Sequence, residues 1–77
     1  MKGLSIEEQL GKRIRYLRKL KKKSIEDLAL DSNINKNYLG DLENGRRNPT
    51  LKMLEKIANG LGITISELTK GLESLDI

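Results

Sequence analysis

The stretch from Ser24 to Gly45, S-I-E-D-L-A-L-D-S-N-I-N-K-N-Y-L-G-D-L-E-N-G, leaves few choices of local structure. Ser24 is a good helix N-cap, and Asp27 three residues on resembles the second half of a capping box. Ile25, Leu28 and Ala29 lie on one helical face, so the spacing predicts a helix of about two turns. At Asp31-Ser32-Asn33 the apolar period breaks. After glycine, asparagine is among the residues that best tolerate the left-handed backbone of a sharp turn, which places the turn at Asn33. Asn35 then caps a second helix with Leu39 and Leu42 facing inward, and Gly45 supplies the left-handed residue that ends it. Ala29 is small enough for two helices to cross closely.

At 100° per residue, Lys36, Asn37, Gly40, Asp41 and Asn44 share one sector of the second helix, opposite Tyr38, Leu39 and Leu42. Amide and ammonium groups on such a face suit base edges in a major groove, and they suit plain solvation equally well. The spacing of the whole segment is more specific. Leu28-Ala29, the turn residue Asn33, Ile34, Tyr38, Leu39, Leu42 and the run E-N-G-R-R-N-P from Glu43 to Pro49 resemble the helix-turn-helix of the phage-repressor (Xre or Cro-like) family, restriction-modification controller proteins included. The resemblance covers roughly residues 10–69. It departs at Ile25, where the family usually has glutamine, and at Asn33, where it usually has glycine.

The resemblance implies an all-α, lambda-repressor-like fold, a compact five-helix bundle that binds double-stranded DNA with its second motif helix. Lys36 and Asn37 then approach bases, lysine suiting the O6/N7 edge of guanine and asparagine the N6/N7 edge of adenine. Asn35 and Tyr38 assist at the groove margin. Asp41 is either an acceptor for a cytosine amino group or a solvated charge. Arg46, Arg47 and Asn44 hold the phosphate backbone, joined by Lys23 and by the amides at the helix end capped by Ser24. Arg18 and Glu43 match family positions that form a partly buried structural ion pair.

Composition narrows the alternatives. With 77 residues, the chain is expected to be one domain, 1–77, burying only about 60% of its unfolded surface. It has no cysteine and no histidine, which excludes disulfides, thiol nucleophiles, the usual zinc sites and imidazole bases; neither an enzyme nor a bound cofactor or metal is expected. No apolar run approaches a membrane span and the N-terminus lacks a signal-peptide core, so a cytoplasmic protein with no membrane partner is expected. Net charge is +4, but unevenly placed. Met1 to Lys23 carries 9 basic and 2 acidic side chains, whereas Ser24 to Gly45 carries 1 basic and 5 acidic. Attraction to phosphate must therefore come from the flanks, Lys21-Lys22-Lys23 before the motif and Arg46-Arg47 after it.

Around the motif, Ser5 and Glu8 open a first helix whose stripe is Ile6, Leu10, Ile14 and Leu17, with Leu20 near it. Arg46-Arg47-Asn48-Pro49 forms a loop, since proline cannot continue a helix. Thr50 caps a fourth helix with Leu51, Leu54, Ile57, Ala58 and Leu61 inward and Gly60 and Gly62 as stop signals. Thr64 to Glu67 is a second T-x-x-E box, opening a last helix toward Gly71 or Leu72. The end of the chain is too apolar for a solvated tail and either folds back or meets another subunit. Residues 61–77 are thus the expected dimerisation region, drawing on Leu61, Ile63, Ile65, Leu68, Leu72 and Leu75.

The combined expectation is a transcriptional regulator that binds an inverted-repeat operator as a homodimer. Glu26, Asp27 and Asp31 are candidates for touching RNA polymerase; placement in a helix's first turn explains the first two as local stabilisers. The rival reading is an antitoxin or adaptor that uses the same fold to hold a protein partner.

Overall fold

Every helix among the described residues starts at a side-chain acceptor. In the computed structural model, which describes residues 3–73, the elements are α1 (Ile6–Leu20), α2 (Ile25–Ser32), α3 (Lys36–Glu43), α4 (Leu51–Leu61) and α5 (Ile65–Leu68). No strand occurs among the described residues. Ser5, Ser24, Thr50 and Thr64 each accept a hydrogen bond from the backbone N–H three residues on, and Asn35 accepts from Asn37 and Tyr38. The boxes at Ser5/Glu8 and Ser24/Asp27 are reciprocal, the carboxylate reaching back to the cap's own N–H. These bonds satisfy amides that have no partner inside the helix.

The apolar stripes converge on one core. Ile14, Leu28, Leu39, Leu42, Ile57 and Leu68 are fully enclosed, flanked by Leu10, Leu17, Ala29, Ala58 and Leu61. Each buried leucine or isoleucine contributes about 1.5–3 kcal/mol, and together these side chains bring all five helices to a single centre. Two glycines set how closely the helices approach. Gly11 of α1 lies against the carbonyl end of α3, where a Cβ would stand 2.5 Å from the Glu43 oxygen and 2.6 Å from that of Leu42. Gly60 of α4 lies against Ser32 of α2 in the same way, a Cβ there standing 3.0 Å from the Ser32 nitrogen.

Several expectations change. Gly60 does not stop α4; it is buried inside the helix, which runs to Leu61 and ends at Gly62 in the left-handed conformation (φ 71°). The last helix is a single turn ending at Leu68, followed by a turn at residues 69–71, and the Thr69 hydroxyl donates back to the Ile65 carbonyl (2.9 Å). Of the Thr64/Glu67 box only the Thr64 acceptor bond forms among the described residues. Ile6 and Leu20, at the two ends of the α1 stripe, and Leu51, at the start of α4, are exposed because they overrun the core. Beyond α5 the chain folds back: the Gln9 side chain accepts from the Glu73 N–H and donates to the Glu73 carbonyl, both at 2.9 Å, while also donating to the Leu4 carbonyl. No helix among the described residues is long and apolar enough to cross a membrane.

Candidate nucleic-acid interface

The turn between α2 and α3 is built on Asn33, which caps α2 in the left-handed region (φ 56°, ψ 48°) despite not being glycine. Its N–H bonds the Leu30 carbonyl and the next N–H, that of Ile34, bonds the Ala29 carbonyl, so the reversal pairs two of the carbonyls in α2's last turn. Asn35 then starts α3 with its side-chain oxygen 2.7 Å from the Asn37 nitrogen. Leu39 and Leu42 anchor the helix in the core, which fixes its rotation and turns the opposite face outward.

That outward face is a polar groove. Lys36, Asn37, Gly40, Asp41 and Asn44 of α3 line it together with Ile25 and Glu26 of α2, around a shallow depression of about 480 Å³ that lies largely open to solvent. A helix with its side chains is about 10–12 Å across, which a B-DNA major groove about 12 Å wide admits. Tyr38 is half-buried at the margin, packed against the core, and Asn35 is exposed at the helix start. Arg46 and Arg47 leave the carboxyl end of α3, while Lys23 and the Ser24 cap stand at the amino end of α2.

Each of these cations has an anionic neighbour. Lys36 Nζ lies 3.4 Å from Glu26, Lys23 is paired with Asp31, and Asp41 faces both arginines, 3.3 Å from Arg47 Nη2 and 3.8 Å from Arg46 Nη1. The Arg47 guanidinium also sits 5.3 Å from the centre of the Tyr38 ring, within cation–π range. Asp41 is a partly exposed charge standing beside both arginines. Pairs this exposed contribute roughly 0.2–1 kcal/mol, so they exchange readily for a phosphate. Glu26, Asp27 and Asp31 are likewise engaged within the chain, Asp27 through the Ser24 N–H.

Behind the groove, the Glu43 carboxylate is fully enclosed and takes two bonds from Arg18, Nε at 2.8 Å and Nη2 at 3.0 Å. Bonding to Glu43 raises the Arg18 pKa above its already high ordinary value, so the guanidinium stays charged. Arg18 Nη1 also bonds the Lys23 carbonyl, tying α1 to both α3 and the entry to α2. Arg15, which sequence reasoning left unassigned, completes the cluster: its Nε is 3.2 Å from Glu43 and its Nη2 is 3.2 Å from the Asn44 side-chain oxygen. The i, i+3 spacing from Arg18 was the available signal.

The apolar residues expected to form a dimer face divide. Leu61 and Leu68 are buried in the protein's own core and are not available to a partner. Ile63, Ile65 and Leu72 are partly buried against that core, and Leu75 lies outside the described residues.

A capped helix, a left-handed turn and a second helix presenting a polar groove together define a helix-turn-helix module. Residues 14–68 match the helix-turn-helix family HTH_3, and the chain belongs to that family. It is 42% identical over 69 residues to the control protein C.MunI of Mycoplasma, covering 88% of this chain and 93% of that one. It is 40% identical over 65 residues to the HTH-type transcriptional regulator DdrOP3 of Deinococcus deserti, covering 84% of this chain but half of that regulator's length. The restriction-modification controller protein C.AhdI of Aeromonas hydrophila superposes with a TM-score of 0.77 at 39% identity, over 79% of this chain and 92% of that one. The family is one of DNA-binding regulators and not of enzymes.

Proposed function

We propose that the protein is a cytoplasmic, single-domain transcriptional regulator that binds an inverted-repeat operator in double-stranded DNA as a homodimer. The carrying observation is the polar groove face of α3, held at fixed rotation by Leu39 and Leu42 and flanked by Arg46 and Arg47. Lys36 and Asn37 read base edges, with Asn35 and Tyr38 at the margin; Arg46, Arg47, Asn44, Lys23 and the Ser24 helix end hold phosphates. Arg18 and Glu43 serve the fold, locking α3 to α1 so that the reading face does not rock. A second copy associates through the end of the bundle where Leu51, 71% exposed, stands beside the half-buried Ile65. Two-fold symmetry then places the two reading helices about 34 Å apart, one turn of DNA.

Selection of bound duplexes from a random pool, followed by anisotropy titration over a salt series, tests this reading. An enriched inverted repeat, with affinity falling steeply as salt rises, is the expected result. Enrichment of no sequence, or retention indifferent to salt, would refute it and favour a protein-holding role for the fold. Sedimentation of a monomer at micromolar concentration, with half-sites bound as tightly as full sites, would remove the dimer.

A further inference from the structure

Asp41 stands where helix stability does not call for it. It lies in the last turn of α3, the end at which a negative charge opposes the helix dipole. It also lines the groove offered to a polyanion, where a carboxylate repels what the flanking cations attract. Its position is accounted for by what it touches. One carboxylate oxygen is 3.3 Å from Arg47 and the other is 3.8 Å from Arg46, while Arg47 is held on its second side by the Tyr38 ring. The carboxylate thus stands beside two guanidiniums in the manner of a phosphate oxygen pair.

We infer that Asp41 is a specificity-setting residue: an internal phosphate surrogate that competes for Arg46 and Arg47 in the free protein and yields them when α3 is seated in a groove. The inference rests on the DNA-binding reading above. Its physical basis is the difference between long and short range. A duplex held loosely, beyond hydrogen-bonding range, meets guanidiniums already engaged by Asp41 and so pairs with fewer of them, which reduces generic attraction. A duplex in which α3 is seated brings phosphate oxygens to bonding distance, where two-pronged guanidinium bonds replace the weak, exposed contacts to Asp41. Random DNA is therefore penalised more than the preferred site.

The test compares the wild-type protein with Asp41→Asn on two probes: a random-sequence duplex of about 30 base pairs and the duplex enriched from a random pool. Asp41→Asn is expected to raise affinity for the random duplex by about three- to tenfold at low salt, to steepen its salt slope by up to about 0.9 for each arginine released, and to lower the ratio of specific to random affinity. An unchanged ratio, or an unchanged random-duplex slope, overturns the inference. A second arm repeats the substitution in an Arg46→Gln/Arg47→Gln background, where only the loss of one negative charge remains and the gain is expected to fall well short of that in the native background; a gain of the same size there means that Asp41 acts by simple repulsion and overturns the clamp. Free-protein NMR supplies a readout without DNA: Asp41→Asn should move the Arg47 side-chain protons out of the ring-current shift of Tyr38, and no movement contradicts the clamp. If the wild type binds no duplex at all, the regulator reading itself fails and takes this inference with it; failure of the ratio or slope alone leaves the regulator reading standing.

Discussion

Two glycines on helices, given the same added methyl group, are expected to move stability in opposite directions. Glycine costs a helix interior about 1 kcal/mol relative to alanine, so Gly→Ala is favourable wherever the new Cβ has room. At Gly40 of α3 it has room: the nearest atom outside its own helix is Ile25 Cδ1 at 3.8 Å, ordinary van der Waals contact. Gly40→Ala should therefore gain about 0.5–1 kcal/mol, a rise of roughly 3–6 °C in Tm for a domain of this size. At Gly11 the obstacles are backbone atoms of Leu42 and Glu43 at 2.5–2.8 Å, which no rotamer change can move. The α1–α3 crossing must open by a large fraction of an ångström, which loosens Leu39 and Leu42 and lengthens the Arg18–Glu43 bonds. Overpacking of this kind costs about 1–3 kcal/mol or more, which exceeds the propensity gain, so a net loss of about 1–2 kcal/mol and a Tm drop of about 5–15 °C are expected. Thermal unfolding followed by circular dichroism at equal protein concentration measures both. A Gly11→Ala protein as stable as the wild type would refute the claim that this contact sets the helix spacing. A Gly40→Ala protein that loses stability would refute the propensity argument instead.

Three further outcomes follow from the same structure. Arg18→Met should cost about 2–3 kcal/mol in chemical denaturation, below the full penalty for a stranded buried charge because Arg15 still reaches Glu43, whereas Arg15→Met, half-exposed, should cost under about 1 kcal/mol; equal losses would show that the two arginines share the carboxylate evenly. The backbone N–H and then the hydroxyl of Ser24 hold the Asp27 carboxyl below the ordinary carboxylate range, so its stabilisation is present above the unfolded pKa and is lost as pH falls through the folded one; Asp27→Asn should lower Tm at neutral pH and converge with the wild type as acid protonates the folded carboxyl, and parallel curves across that window would contradict the linkage. Replacing Lys36 or Asn37 should relax preference at defined operator positions by about 1–3 kcal/mol, measured by competition with single-base variants, whereas a uniform loss over all positions would make them phosphate contacts.

How much of this was legible in the chain depended on whether the deciding partner was near in sequence. Capping is settled within three residues, so the helix starts at Ser5, Ser24, Asn35, Thr50 and Thr64 could be read directly, as could the left-handed turn at Asn33. Gly60 was misread because a glycine late in a helix serves as a terminus or as a gap for a neighbour, and the neighbour, Ser32, is far away in the chain. Leu61 and Leu68 were misread for a related reason: apolar spacing marks an inward face but not whether that face meets its own core or another subunit. The groove face of α3 was readable from its 100° periodicity, while the grip of Asp41 on Arg46 and Arg47 was not, because it forms across a non-helical bend at Gly45 that has no period.

The clasp of Gln9 on Leu4 and Glu73 has a bearing on engineering. One amide nitrogen donates to both carbonyls, so the segments before α1 and after α5 run side by side. A linker of a few residues should therefore join 73 to 4 without strain, and new ends could be opened at the exposed Lys21–Lys22 bend between α1 and α2. In that circular permutant α1 would follow α5 in the chain while keeping every packing partner. Retention of the native fold would show that this bundle is specified by which surfaces meet and not by the order in which they are synthesised.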